Sequence, residues 1–276
     1  GRDVEMSVAS TKAFYAQIAA CYLLAVAIVD ARGDVAAPRA DLLAALRAMP
    51  DAMERVMALR PAIADAARRL APSRRYWAIV GNGANRIAAE EIRIKLSELC
   101  YKAIACDGTE DKKHIDLSSE PMILVCAAGL QGSTADDVAK EVAIYRAHKA
   151  APIVVATEGE ERFSAALHVV SVPVTHPRLA FVLSAMVGHL FGYEAALAID
   201  AQAMPLREAR AAIDEAAAEG LDGEEALQSL QPALAGTAAR FYDGLRTGDY
   251  DGHLEASTAV RLSSTWRFAL GVVGLD

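Results

Sequence analysis

Glu91, Lys95 and Glu98 stand four and then three residues apart, a spacing that puts two carboxylates and an ammonium on one face of a helix. Left in water, such a face is an ion-pair ladder worth ~0.3–0.5 kcal/mol per pair. Placed at the carboxyl edge of a parallel sheet, where α/β proteins bind ligands, it offers Glu98 as a base and Lys95 as an electrophile. Spacing alone favours the ladder. His114 lies in a polar run with Glu110, Asp111, Lys112, Lys113 and Asp116, where an exposed imidazole is the default. The histidines at 148, 168, 176, 189 and 253 have no metal-ligand spacing, and neither an HExxH motif nor a Cys/His cluster occurs, so no metal is expected.

Two small-residue loops could hold an anion. Gly81-Asn82-Gly83 follows an apolar run and precedes a helical pattern, which exposes amides near a helix N-terminus. Arg86 occupies the third glycine position of a dinucleotide fingerprint, so a tight turn is expected and no nicotinamide cofactor. Residues 130–136 contain Ser133 and Asp136, which either cradle a phosphate or, more simply, make a helix start with Ser133 as the N-cap.

These groups need elements to position them. Apolar five-residue runs at 76–80, 122–126, 152–156 and 168–172 read as buried parallel strands, with 102–106 as a possible further one. Helical patterns over 85–101, 135–149 and a short 160–167 alternate with them. The expectation is α/β: a doubly wound, mostly parallel sheet with helical N- and C-terminal extensions. Residues 8–29 form a helix ended near Gly33, expected to be largely buried, and residues 41–70 form two or three short helices around Pro50 and Pro61. Beyond Pro177 the pattern is helical to about Arg246, and residues 248–276 carry no clear signature.

Composition limits the function classes. The chain has 276 residues, 54% hydrophobic and 23% charged, which excludes a disordered polymer. Its formal charge of −8 argues against nucleic-acid binding. The four cysteines form no CxxC pair, in keeping with a reducing cytoplasm. The apolar run 13–29 is shorter than the ~20 residues a membrane crossing needs, and no signal peptide is legible, so no membrane partner is expected.

Val8-Ala9-Ser10-Thr11-Lys12-Ala13-Phe14, with Gln17, resembles the VASTKAF signature of the glucosamine-6-phosphate synthase isomerase module, which is built from two sugar-isomerase (SIS) domains. Gly81-Asn82-Gly83, Ala89, Glu91, Lys95-Leu96, Glu98 and Tyr101 resemble that family's G-R-G … A-x-E-G-A-x-K-L-K-E-x-x-Y helix, and His114 follows Glu98 at the family's sixteen-residue spacing. The similarity runs from about residue 4 to 215. It implies a flavodoxin-like SIS fold, with residues 1–72 as the helical remnant of a first SIS domain plus connector, 73–200 as a second SIS domain and 201–276 as a helical extension. It also implies an aldose–ketose isomerase or aminotransferase acting on a ketose or amino-sugar 6-phosphate, or alternatively a non-catalytic phosphosugar-binding regulator. By that resemblance Glu98 shuttles the proton, His114 opens the ring, Lys95 assists at the enediol, and Val8, Ala9, Ser10, Ala209 and Arg210 meet the sugar, without cofactor. The family histidine enters from a neighbouring subunit, which implies a homodimer. The first SIS sheet, its phosphate loop and a glutaminase domain are not in this sequence, so the chain reads as a piece of a larger polypeptide. Two departures stand out: Ile115 and Asp116 replace the glycine and proline after the family histidine, and Arg210 replaces an imine-forming lysine. Arginine does not deprotonate near neutral pH and would act only as a charge clamp.

Overall fold

The computed structural model describes residues 9–33, 39–220 and 223–273, except the side chains of His114 and Glu224. The chain divides into two compact units, one of Gly1–Ala67 with Tyr76–Ala195 and one of Arg68–Arg75 with Ala196–Asp276.

The first unit is built on five strands, β1 (Trp77–Gly81), β2 (Ala105–Asp107), β3 (Met122–Cys126), β4 (Ala151–Thr157) and β5 (His168–Val172). All pair in parallel, in the order β2-β1-β3-β4-β5, which is the flavodoxin-like arrangement. The doubly wound α/β expectation is met. Side chains alternate across the sheet: Ala78, Val80, Ile123, Val125, Val154 and Ala156 join Val138, Val142 and Tyr145 of α6 (Gly132–Ala147) in one buried cluster. Ile79, Leu124, Ile153 and Val155 point the other way and are likewise fully buried. That second face is where α4 (Ala84–Cys100) packs, against β1, β2 and β3.

Several local expectations are corrected. Residues 160–167 form turns instead of a helix: the Glu160 carboxylate accepts from both the backbone and the guanidinium of Arg162, and the Leu167 amide is taken by the Pro152 carbonyl. Pro50 does not break its helix, because α2 runs unbroken from Arg39 to Ala58. Proline there costs about 3 kcal/mol, which burial of Leu42, Met49 and Val56 at seven-residue spacing offsets at ~1.5–3 kcal/mol per fully buried side chain. Pro61 falls in the first turn of α3 (Arg60–Leu70), where its missing N–H is harmless.

The N-terminal helix α1 (Lys12–Ala31) ends at Arg32 and a left-handed Gly33, but no residue of it is buried. Tyr15, Ile18, Tyr22, Val26 and Val29 form a half-buried stripe, while Leu23, Leu24 and Ile28 are exposed. Uniform apolarity does not mark which side of α1 the chain itself covers. Both α1 and α7 (Ala180–Gln202) are long and apolar enough to cross a membrane by length and composition; 61% of the apolar window of α7 is buried within the fold and none of that of α1.

The second unit holds α8 (Met204–Ala218), α9 (Gly223–Thr247) and α10 (Ala256–Ala269). Ala209, Ala216, Leu230, Leu234, Ala238, Phe241 and Trp266 form its core. Helix α10 lies within residues 248–276, whose sequence carries no clear signature.

Candidate active site

The chain turns from β1 into α4 on Gly81-Asn82-Gly83. A Cβ on Gly81 would lie 2.4 Å from the Asn85 carbonyl oxygen, and Gly83 has φ +56. Asn82 gives its amide to Thr109 Oγ1 at 2.6 Å and accepts from the Thr109 amide at 3.1 Å, so its side chain stitches two loops together. Buried Asn85 donates to the Ala128 carbonyl at 2.9 Å and accepts from Ser184 Oγ at 2.9 Å. Helix α4 then runs back along the sheet, since a parallel crossover returns the chain to the amino edge, and ends at Tyr101.

On this helix the Glu91, Lys95 and Glu98 side chains meet as their spacing requires, but not in water. The Lys95 side chain is 7% exposed and that of Glu91 13%, against 37% for Glu98, so the solvated-ladder reading is corrected. Lys95 Nζ lies 3.3 Å from Glu98 Oε2 and 3.8 Å from Glu91 Oε1. Two residues to which the sequence assigns no catalytic part, Tyr15 and His189, complete the group. His189 Nε2, on α7, is 3.2 Å from Glu91 Oε1, and its Nδ1 is 2.7 Å from the Tyr15 hydroxyl on α1. Burial, and then the Glu91 charge, push the Tyr15 phenol above its ordinary pKa. No spacing rule could have found this contact, because its partners are separated by 174 and 98 residues; the one hint was that Tyr15 directly follows the Val8–Phe14 motif.

Helices α7 and α4 approach closely through two glycines. A Cβ on Gly188 would fall 2.2 Å from Ile92 Cγ1, and one on Gly192 2.8 Å from Leu96 Cδ1. That proximity is what lets His189 reach Glu91.

The remaining candidates lie elsewhere. Glu98 is two residues from the end of α4, on the amino-edge side of the sheet; the expectation that its face sits at the carboxyl edge is therefore corrected. His114 opens the short helix α5 (His114–Leu117), partway along the connection that leads from the carboxyl end of β2 back to the amino end of β3. Its side chain lies outside those described, as does Val8 altogether. Ala9 is buried and Ser10 half-buried just before α1. In the second unit, Ala209 is packed in the core, and Arg210 is 83% exposed with Asp214 at 3.6 Å.

At the carboxyl edge, α6 begins at Gly132 after an N-cap at Gln131 without a side-chain cap bond, so Ser133 is inside the helix and not its cap. A cavity of about 180 Å³ there is lined in part by Gln131, Thr157, Glu158, Glu160 and Arg162. Arg162 is bound to Glu160 at 2.6 Å, to Asp136 at 3.2 Å and to the Gly132 carbonyl at 3.0 Å, which leaves a phosphate little unspent positive charge. Among the described residues no group of three or more His, Cys, Asp or Glu side chains could hold a metal ion.

No protein-family model matches the chain. It is 33% identical over 197 residues to the glutamine–fructose-6-phosphate aminotransferase (isomerizing) of Thermus thermophilus, and 30% identical over 201 residues to that of Streptomyces coelicolor, in each case over 70% of this chain. It spans only 32% of the length of these curated relatives. Among solved structures, it resembles the C-terminal domain of glucosamine-fructose-6-phosphate aminotransferase from Francisella tularensis, with TM-score 0.65 and 19% identity over 71% of this chain and 56% of that one. A candidate phosphosugar isomerase of Silicibacter pomeroyi aligns with TM-score 0.56 and 22% identity over 72% of this chain and 56% of that one. At such identities the likeness concerns the fold.

Proposed function

We propose that this chain, which carries a sugar-isomerase (SIS) domain resembling the C-terminal isomerase module of glutamine–fructose-6-phosphate aminotransferase, moves a proton between C1 and C2 of an open-chain ketose or amino-sugar 6-phosphate. The observation that carries this reading is the Lys95–Glu98 pair. A nearly buried ammonium lies 3.3 Å from a carboxylate that is 37% exposed, so one member is open to a substrate while the other is held in a low-dielectric setting beside it. Glu98 is then the base that takes the proton from one carbon and returns it to the next, and Lys95 stabilises the oxygen charge of the enediolate between the two transfers.

Ring opening is assigned to His114. By the resemblance this imidazole comes from a second copy of the chain, and the active form is a homodimer. By the resemblance, the backbone around Val8, Ala9 and Ser10 meets the sugar; Ala209 and Arg210 belong to the second unit, where the Ala209 methyl lies in the core. No cofactor is assigned a part. Four free cysteines suit a reducing cytoplasm.

The test is conversion of fructose 6-phosphate to glucose 6-phosphate by the wild-type chain, Glu98→Gln, His114→Asn and an equimolar mixture of the two variants. Each variant alone should lose on the order of 10²–10⁴-fold in rate, the usual worth of general acid–base catalysis, with unchanged far-UV circular dichroism. The mixture should regain activity, because a mixed dimer contains one site with both groups. A Glu98→Gln rate equal to wild type overturns the assignment; inactive variants that stay inactive when mixed overturn the shared site.

A regulatory reading, in which the module binds a phosphosugar without converting it, is favoured by one observation. Arginine stands at 210, 83% exposed, where the resemblance puts a lysine able to form an imine. Calorimetry with fructose 6-phosphate and glucosamine 6-phosphate, run beside the turnover assay, separates the two: saturable binding without product supports the regulator.

A further inference from the structure

Lys95 makes an unexpected choice between its two carboxylates. On an isolated helix a Glu four residues before a Lys is the preferred partner, so Glu91 should hold the ammonium. Instead Lys95 Nζ is 3.8 Å from Glu91 and 3.3 Å from Glu98. The competitor is His189, whose Nε2 sits 3.2 Å from the same Glu91 Oε1 that Lys95 would use. Because a carboxylate only accepts, that nitrogen donates to Glu91, while Nδ1 is hydrogen-bonded to the Tyr15 hydroxyl at 2.7 Å. The ring is held edge-on by Phe14 and Tyr15, with centroids 6.0 and 5.5 Å away. The His189 side chain is 8% exposed, so water offers Glu91 little alternative.

We propose that Tyr15 and His189 are positioning residues for the reacting pair: by occupying Glu91 they commit the Lys95 ammonium to Glu98. This rests on the reading of Glu98 and Lys95 as the reacting groups. It gives the helix that follows the Val8–Phe14 motif a mechanical part in the site, since Tyr15 belongs to α1 and every other member to α4 or α7. Neither Tyr15 nor His189 exchanges a proton with substrate. Without His189, Glu91 has one donor within reach on its own helix, and Lys95 swings back one turn.

The test uses the whole chain labelled with ¹³C-lysine, in which the Lys95 side-chain resonance is assigned by its loss in Lys95→Arg. His189→Phe and Tyr15→Phe should move that resonance, and His189→Gln, which restores an N–H toward Glu91, should return it toward the wild-type position. Kinetically, His189→Phe should lower kcat on the order of 10²-fold, the usual consequence of misplacing a reacting group by about 1 Å, with KM unchanged. Glu91→Gln added to His189→Phe should restore most of the loss, because a neutral amide no longer competes for the ammonium. A merely structural histidine would not be rescued in this way. An unmoved Lys95 resonance in both His189→Phe and Tyr15→Phe, or a double variant no better than His189→Phe alone, overturns the proposal. Should the wild-type chain turn over no sugar phosphate, the proposed function fails, and the resonance alone decides whether Tyr15 and His189 set the place of Lys95. Should His189→Phe fail to fold, Tyr15→Phe and His189→Gln carry the same comparison.

Discussion

Gly188→Ala sets two calculable effects against each other. Gly188 lies inside α7, and replacing a mid-helix glycine by alanine ordinarily stabilises a helix by up to ~1 kcal/mol. Here the new Cβ would lie 2.2, 2.4 and 2.8 Å from Cγ1, Cδ1 and Cγ2 of Ile92, where carbon atoms rest at about 3.5–4.0 Å. Ile92 is fully buried and has nowhere to turn, so α7 must move off α4 by roughly 1 Å or more to recover ordinary contact. Overpacking of this kind costs ~1–3 kcal/mol. Set against a propensity gain of ~1 kcal/mol, the net loss should be about 0–2 kcal/mol, a fall of up to roughly 8 °C in the melting transition of the sheet-bearing unit. The same displacement stretches the 3.2 Å His189–Glu91 contact beyond hydrogen-bonding range, so isomerase activity and the Lys95 resonance should change with the melting temperature. The assay is a double-mutant cycle with Ile92→Ala, which deletes the three atoms that clash. Ile92→Ala alone should cost ~2–5 kcal/mol, and the double variant should be more stable than the sum by roughly the size of the relieved overlap. A Gly188→Ala chain as stable as wild type or more so, with no coupling to Ile92, would refute the close approach of α7 and α4.

Other consequences are simpler to measure. Asn85→Ala leaves the Ala128 carbonyl and Ser184 hydroxyl without their buried partner and should destabilise by about 1–3 kcal/mol per orphaned group in urea melts; a loss under ~0.5 kcal/mol would contradict it. Burial pushes the Cys100 thiol up from 9.0 to about 12, so it stays protonated in the folded chain while an unfolded chain ionises. The resulting stability is intact below pH 9 and declines as pH rises toward 12, and Cys100→Ala should flatten that alkaline decline in chemical denaturation; an identical slope would count against the burial. Leu24 is 61% exposed, so Leu24→Ser should change stability by no more than ~0.5 kcal/mol, whereas a loss of several times that size would mean the outer face of α1 is covered in solution.

The sheet was readable from the sequence because central parallel strands advertise themselves. β3 and β5 occupy the very residues of their apolar runs, and β1 and β4 depart from theirs by a residue at each end; β1 and β3 are buried along their whole length and have no polar residue to blur their limits, whereas β5, at the edge of the sheet, keeps Ser171 exposed. Failures came where a side chain outbid local propensity. Glu160 spends its carboxylate on Arg162 and the expected helix does not form; at α6 the backbone enters the helix at Gly132, one residue ahead of the serine that looked like its cap. The burial of α1 was illegible for a different reason. A helix apolar all round carries no moment that says which face is covered, and the face that this chain leaves open still carries Leu23, Leu24 and Ile28.

Within the candidate site, helical spacing brought Glu91, Lys95 and Glu98 to one face but was silent on the quantity that decides their chemistry. The same three residues in water would pair by helix geometry, with Lys95 drawn to Glu91; buried, the choice passes to whatever else reaches Glu91. That donor arrives from α7, and it arrives only because glycines at 188 and 192 bring the helix axes together. Glycines within an apolar helix read as weaknesses of propensity from sequence, when here they are what admits the imidazole. Topology contributes a second fact that no motif spacing carries. Sixteen residues from Glu98 to His114 suggest neighbours, yet the intervening chain includes β2, a strand that carries the backbone from the amino edge to the carboxyl edge. The connection that holds His114 then leads back toward the amino edge at β3, so spacing does not say which copy brings the imidazole to the carboxylate, and that is the question the mixed-variant assay asks.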